Sequence, residues 1–300
     1  MNSLFLAISG LVLFGVGYRY YASYLANKVF SINKFSGSVP AKEFEDGIDY
    51  VPTPKNILLG HHFTSVAGAA PIIGPCIAVY WGWLPAFLWV VFGAIFFGAV
   101  HDFGALVISV KEKGKTIADI TGSIINKRVK IIFLLFVMIL SWLVMAVFSM
   151  AIAGLFVNMP TAVLPINIEI FVSVLAGILI HKKKLNALKL SIIGLVILYI
   201  FVYVGTYTPI SFDGYKIEKS SQITIWIFLL FFYSAIASLL PVWVLLQPRD
   251  YLNSHQLIVG LFLIYAGIVV AQPNIEAPMV RSVEEGGKSL FPLLFVTIAC

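Results

Sequence analysis

Charged residues are scarce in this chain of 300 residues. They make up 11% of it, whereas apolar residues make up 60%. An average soluble domain has about 25% charged and about 45–50% apolar residues. The shortage of charge excludes an ordinary soluble domain. It predicts an integral membrane protein whose first partner is the lipid bilayer.

Cysteine is also rare, with only Cys76 and Cys300 in the chain. Neither their number nor their spacing fits a disulfide framework or a cysteine metal site. We interpret both as small apolar residues. The sequence therefore predicts no metal site and no cofactor, with an ion gradient as the source of energy.

The common motifs of hydrolytic enzymes are missing. The chain has neither HExxH nor GxSxG, which excludes the usual zinc-protease and serine-hydrolase sites. Gly114-Lys115-Thr116 resembles the end of a phosphate-binding loop, but Ser109 stands where that loop needs its first glycine. We predict that the protein is not an enzyme.

Long apolar runs make up most of the sequence. Runs of about 20 residues suit helices that cross a membrane, whereas barrel strands alternate over about ten residues. The predicted fold class is therefore all-α, a polytopic helical membrane protein of about nine spans. The eight complete spans are predicted at 3–24, 64–80, 84–110, 130–157, 161–180, 188–207, 222–246 and 255–272. A ninth begins near residue 290 and has no polar flank, which predicts a truncated last span and a fragment of a longer protein.

The distribution of basic residues predicts the orientation of these spans. Loops on one side hold only Lys216, Lys219, Arg281 and Lys288, and the other lysines and arginines fall on the opposite side. By the positive-inside rule the richer side is cytoplasmic and the N-terminus is outside. The net charge of +6 then reflects topology and contact with anionic lipid, and it predicts no nucleic-acid partner. We predict one transmembrane domain, 1–300, with a cytoplasmic loop at 25–63 and a basic one at 111–130.

The stretch GHHFTSVAGAAPIIGP, residues 60–75, is unusual for a membrane helix. Proline in a helix interior removes a backbone hydrogen bond. In hydrocarbon, the freed groups need protein or a water-filled cavity around them. Broken helices of this kind form the binding sites of many secondary transporters, although small residues also serve close helix packing. The predicted substrate-binding residues are His61, His62, Thr64, Ser65, Gly68, Pro71, Gly74 and Pro75.

The histidines of this stretch, and an acid in the third span, each have two interpretations. His61 and His62 are either a proton relay or substrate contact, or anchors at the membrane interface. Asp102, with His101 beside it, lies in the third apolar run, where an acid is a functional candidate by default. We predict proton coupling at Asp102 and His101, with a satisfied structural acid near the inner interface as the alternative for Asp102.

The end of the predicted seventh span combines a proline with a pair of opposite charges. Pro241 predicts a kink, and Arg249-Asp250 predicts a tight cytoplasmic turn with a local ion pair. The proline-rich segment AQPNIEAPMV, residues 271–280, follows the eighth span. It is predicted to be an external loop, with a gate as the alternative.

Several ordered motifs resemble the carbon starvation protein A family of bacterial inner-membrane proteins. They are YRYYASYLANKV, DGIDYVPTPKNILLGHHFTSVAGAAPIIGP, GAVHDFGALVIS, LLPVWVLLQPRDYL and LFPLLFVTIAC. The resemblance implies uptake of peptides, or of pyruvate by proton symport, during starvation, on a fold grouped with the inverted-repeat amino-acid transporters. Its motifs fall on Gly60 to His62, on Gly68 to Pro75 and on Asp102. The residue before that acid varies in the family, which weakens a general role for His101.

The main hypothesis is a secondary transporter of the bacterial inner membrane. It takes up a small carboxylate-bearing nutrient, a peptide or pyruvate, by cation coupling and most simply by proton symport. The alternatives are a passive channel built on the same broken helix and a membrane sensor module with signalling domains beyond residue 300.

Overall fold

The computed structural model describes residues 2–281 and 288–298, and helices account for most of them. The helices are α1 Ser3–Val16, α2 Pro40–Glu43, α3 Lys55–Val66, α4 Ala69–Ala78, α5 Trp83–Gly93, α6 Ala99–Lys111, α7 Ile117–Ile124, α8 Lys127–Asn158, α9 Val163–Lys183, α10 Ala187–Tyr207, α11 Lys219–Ser238, α12 Leu246–Ala271 and α13 Leu293–Thr297. Turns of π-helix extend α1 to Val29 and join α5 to α6. The predicted all-α class is confirmed.

Eight helical segments of the described residues are long and apolar enough to cross a membrane. They are Ser3–Val29, Lys55–Trp81, Trp83–Lys111, Lys127–Asn158, Pro160–Lys183, Ala187–Tyr207, Lys219–Ser238 and Leu246–Ala271. The prediction of a polytopic helical membrane protein is therefore confirmed. The predicted ninth span contributes the five residues of α13, and Cys300 lies outside the described residues.

Several predicted span limits are wrong. The first span continues to Val29 and the second begins at Lys55, because a helix satisfies its own backbone hydrogen bonds and continues through polar residues that lower the local hydropathy. Near Pro241 the chain forms turns between Ser238 and Leu246 in place of a kinked helix. The predicted tight turn at Arg249-Asp250 is also wrong, since both residues lie in α12.

The two predicted loops also contain helices. Residues 25–63 include α2 and the first part of α3, and residues 111–130 include α7. Asp119 on α7 forms an ion pair with Lys130 on α8. Asn126 caps the start of α8: its side-chain oxygen accepts a hydrogen bond from the backbone N–H of Val129 at 2.9 Å, as in an N-cap.

The described residues form two compact units. One comprises Met1–Glu43, Ser65–Ile117 and Ile258–Cys300, and the other comprises Phe44–Thr64 and Ala118–Leu257. In the second unit α9 packs along α10 and α8 packs along α11. Its core contains Phe156 and Trp226 in edge-to-face contact, with ring centroids 4.9 Å apart. Apolar burial between helix pairs of this kind positions the polar residues described below.

The core of the first unit contains Ala78, Trp81, Ala86 and Leu294. Gly82 connects Trp81 to α5 with a φ of +107°, and a Cβ there would lie 2.6 Å from the carbonyl oxygen of Met279, so only glycine fits. The N–H groups of Trp83 and Leu84 donate to the carbonyls of Pro278 and Met279, both at 3.1 Å. The predicted external loop at 271–280 is therefore tied to this corner by backbone hydrogen bonds.

A pH-dependent turn precedes the second span. One Asp46 carboxylate oxygen accepts the backbone N–H groups of Ile48, Asp49 and Tyr50 at 2.8 to 2.9 Å. These bonds hold the pKa of Asp46 below its ordinary value, and the bond from the Ile48 N–H has the largest effect. A depressed folded pKa means that the turn is fully stabilised above about pH 4, the unfolded value, and is loosened as the pH falls through the folded pKa.

We expect hydrogen exchange, corrected for its intrinsic pH dependence, to show this loosening at residues 48–50. Asp46→Asn should remove the protection at neutral pH, because the amide oxygen is a weaker acceptor than a carboxylate. Asp49→Asn is the matched control and should keep it. Equal protection of residues 48–50 in the Asp46→Asn variant and the unmodified protein would contradict this account.

Candidate functional site

Helix α3 lies close against the first half of α12. A Cβ at Gly60 would lie 2.8 Å from Tyr251 Cδ2 and 2.9 Å from Ser254 Oγ, so glycine is what allows the two helices to approach this closely. Both Tyr251 and Ser254 are buried. The close approach brings the polar residues that follow Gly60 within reach of the α12 side chains.

His61 and Asp250 form the central contact. His61 Nδ1 lies 2.7 Å from Asp250 Oδ2, and the side chains are 28% and 9% exposed. Thr64 Oγ1, one turn further along α3, donates to the Asp250 carbonyl at 2.8 Å. At this distance the imidazole and the largely buried carboxylate can share a proton through a hydrogen bond.

A second acid lies beside this pair. Glu169 of α9 accepts a hydrogen bond from the Asn253 side chain, and the charges of Arg249 and Asp250 both act on its carboxyl group. Arg249 Nη2 is 3.6 Å from Asp250 Oδ1, and its Nη1 is 3.5 Å from Tyr233 Oη. One histidine, two acids and one arginine thus meet on helices that are apolar enough to span a membrane.

The polar residues continue along α12 to α10. His255 Nδ1 lies 3.1 Å from Ser191 Oγ and 2.8 Å from the Tyr251 carbonyl oxygen. We use the name α12 polar cluster for His61, Glu169, Arg249, Asp250, Asn253 and His255. Ionisable groups in membrane spans are costly and are functional candidates by default.

The other predicted substrate-binding residues have separate surroundings. His62 and Ser65 are exposed on α3. The helical interruption within the stretch 60–75 covers only residues 67–68, so most of the stretch is helical. Pro71 lies in the first turn of α4, where its missing N–H costs no helical hydrogen bond.

Gly68 and Gly74 have distinct roles at this interruption. Gly68 caps α4 in an extended conformation, with a φ of −73° and a ψ of −171°. Gly74 packs against the Thr297 backbone, and Pro75 lies inside α4. His61, His62 and Thr64 belong to one compact unit, whereas the predicted residues from Ser65 onward belong to the other.

The predicted coupling residues lie on α6. His101 Nδ1 is 3.1 Å from Asp102 Oδ1, with side chains that are 82% and 44% exposed. Asp102 therefore contacts its sequence neighbour, whereas Asp250 contacts a residue 189 positions away. Proton coupling at Asp102 and His101 stays a prediction.

Across residues 2–281 and 288–298, no three side chains of His, Cys, Asp or Glu are grouped so that they could hold a metal ion. Cys76 is a free, exposed thiol.

Sequence reasoning missed part of the α12 polar cluster. Glu169 is the sole charged residue of the apolar run 161–180, and that isolation was a usable signal. Arg249 and Asp250 were assigned to a turn, because the sequence does not reveal that α12 begins at Leu246. Asn253 and His255 carried no signal of their own, since polar residues near a span end are common.

Comparison with known proteins places the chain in a family. The profile of the family Carbon starvation protein CstA matches residues 2–300. The peptide transporter CstA of Campylobacter jejuni is 32% identical over 311 residues, which cover 100% of this chain and 43% of the relative. The pyruvate/proton symporter BtsT of Escherichia coli is 33% identical over 313 residues, which cover 100% of this chain and 42% of the relative.

The peptide transporter CstA of Bacillus subtilis is 31% identical over 305 residues, covering 100% of this chain and 50% of that protein. The chain thus spans half or less of the length of these relatives. No solved structure matches it. A family profile that matches almost every residue establishes that this chain belongs to the carbon starvation protein CstA family.

Proposed function

We propose that this protein is a proton-coupled secondary transporter that takes up peptides or pyruvate across the bacterial inner membrane during carbon starvation. The observation that carries the proposal is the contact between His61 and the largely buried Asp250. Relatives named as peptide transporters and as a pyruvate/proton symporter support the same activity and favour a role that is not enzymatic.

The His61–Asp250 pair suits proton transfer for an electrostatic reason. When His61 is protonated and Asp250 ionised, the two charges offset each other, which lowers the cost of holding them away from water. When the pair loses its proton, a net negative charge remains in the span and favours rebinding. Such a pair binds a proton on one side of the membrane and releases it when the protein changes conformation.

We propose that substrate binds beside the α12 polar cluster, at the α3 residues His61, His62 and Thr64. The imidazole and hydroxyl groups of these residues can hydrogen-bond the amide groups of a peptide or the keto oxygen of pyruvate. The N-terminus outside and the loops 25–63 and 111–130 inside follow from the basic residues and are part of this proposal.

Uptake into proteoliposomes tests the proposal. The purified protein is given labelled pyruvate or a labelled dipeptide, with and without an acidic outside solution. We expect accumulation above the equilibrium level that a protonophore abolishes. Uptake that reaches equilibrium only, whatever the gradient, would instead identify a passive channel, and absence of uptake would favour the sensor alternative.

We propose Asp102 as a second coupling acid and expect Asp102→Asn to lower proton-driven accumulation by at least about tenfold, because an uncharged amide cannot bind and release the proton. Substrate exchange without a gradient should be kept. Asp119→Asn is the matched control, since it changes an acid on the short helix α7 outside the spans. Accumulation by Asp102→Asn at the level of the unmodified protein would exclude Asp102 from coupling.

A further inference from the structure

Arg249 has more donor groups than the described residues use. A guanidinium carries five N–H donors in a fixed plane. The neighbours of its terminal nitrogens are distant for hydrogen bonds: Asp250 Oδ1 lies at 3.6 Å and Tyr233 Oη at 3.5 Å. The side chain is 33% exposed, so part of it is open to a ligand.

The buried part of Arg249 is unsatisfied as well. Within residues 2–281 and 288–298, no acceptor reaches the buried Nε, and no donor reaches the buried Gln247 Oε1 in the same helical turn. A buried N–H without an acceptor is unfavourable. A planar anion such as a carboxylate would satisfy Nε and one terminal nitrogen together, as paired arginines and carboxylates do.

The two acids near Arg249 are held differently. Asp250 is fixed by His61 at 2.7 Å, and its backbone is fixed by Thr64. Glu169 accepts a hydrogen bond from the neutral Asn253 and interacts with Arg249 through its charge. Asp250 is thus committed to His61, and no carboxylate of the described residues lies within 3.5 Å of the Arg249 guanidinium.

The charged and titratable groups of the α12 polar cluster, together with two tyrosines beside it, come from four helices. They are His61 on α3, Glu169 on α9, Tyr233 on α11, and Arg249, Asp250, Tyr251 and His255 on α12.

We propose that Arg249 binds the carboxylate group of the transported substrate. The inference rests on the proposed function and names the chemical group that its site recognises. Nε and one terminal nitrogen of Arg249 donate to the two carboxylate oxygens, and no covalent bond is made or broken.

The substrate class follows directly. Pyruvate and peptides differ in size and shape, but both carry a carboxylate. A site that pairs this group with an arginine binds either compound and rejects analogues in which the negative charge is removed, because Arg249 would then face a neutral oxygen or nitrogen.

The first test needs no variant. In proteoliposomes of the unmodified protein, uptake of labelled pyruvate is measured in the presence of unlabelled pyruvate or of methyl pyruvate as the inhibitor. In a parallel assay, uptake of a labelled dipeptide is measured in the presence of the same unlabelled dipeptide or of its C-terminal amide. We expect the carboxylate compounds to inhibit at concentrations at least tenfold lower than the ester or amide. Equal inhibition by both would overturn the inference, while uptake itself would leave the proposed function standing. Absence of uptake by the unmodified protein would overturn both.

The second test uses Arg249→Gln and Arg249→Lys. We expect the KM for the carboxylate substrate to rise about 100-fold in Arg249→Gln and less in Arg249→Lys, since lysine keeps the charge but not the bidentate geometry. Inhibition by the amide analogue should not weaken.

Arg128→Gln, at the exposed start of α8, is the matched control and should behave as the unmodified protein. The amount of protein in the vesicles and its elution as a single species separate misfolding from lost binding. An unchanged KM in folded Arg249→Gln, or an equal loss of carboxylate and amide binding, would overturn the assignment.

Discussion

Asp250→Asn is expected to abolish proton-driven accumulation, so that substrate inside the vesicles only equilibrates with substrate outside. The carboxylate lies 2.7 Å from His61 and is 9% exposed, and an amide of the same shape cannot take part in proton binding. Removing one partner of a buried ion pair destabilises a protein by about 3–5 kcal/mol when the other charge is left unpaired. The loss of stability should be smaller here, because the neutral imidazole can still donate to the Asn oxygen.

The Asp250→Asn result is measured as the steady-state ratio of labelled substrate inside and outside, with an inward proton gradient. Exchange of labelled for unlabelled substrate without a gradient should persist. His61→Gln should have the same effect, and the double variant should be no worse than either, since the two residues act as one unit. Additive losses in the double variant, or accumulation that survives Asp250→Asn, would exclude the pair as the proton site.

Gly60→Val is expected to disrupt the contact between α3 and α12 and to destabilise the protein. The new Cβ would meet Tyr251 Cδ2 at 2.8 Å and Ser254 Oγ at 2.9 Å, and the Tyr251 Cα at 3.4 Å leaves little room for the helix to yield. Overpacking of this kind typically costs about 1–3 kcal/mol. Because His61 follows directly, separation of the helices also removes it from Asp250, so transport should be lost even where the protein still folds.

Thermal unfolding in detergent and proteoliposome uptake measure the two effects of Gly60→Val. Gly154→Val on α8 is the matched control, since no atom of the described residues outside its own stretch of helix lies within 4 Å of the position that its Cβ would take. We expect the control to keep both its unfolding temperature and its uptake. Equal unfolding temperatures and equal uptake in the two variants would contradict the close contact at Gly60.

The sequence predicted best those elements that depend on hydrophobicity alone. The fourth span was predicted at 130–157 and found at Lys127–Asn158, because its apolar run is unbroken and Asn126 marks its start. The second span was predicted to begin nine residues too late, because Asn56, Gly60, His61 and His62 lower its hydropathy although they lie in a helix. Hydropathy reports contact with lipid, whereas Gly60 and His61 pack against α12.

The candidate site shows the same limit. His61 and Thr64 were predicted as functional, since two histidines before a Gly- and Pro-rich run are unusual. Their partner Asp250 was placed in a turn, because nothing local to residues 246–250 distinguishes the first turn of a helix that contains Pro248 from a loop. A contact across 189 positions depends on how α3 and α12 meet, and a single sequence carries no record of that.

Helix α8 has a further consequence. Its 32 residues make it about 48 Å long, well beyond the roughly 30 Å of hydrocarbon in a typical bilayer. The membrane must therefore thicken around it, or the helix must tilt, and either response changes with lipid chain length. Activity measured in short-chain and long-chain lipids would then differ for reasons that lie outside the binding site, and bilayer thickness becomes a physical variable that controls this protein.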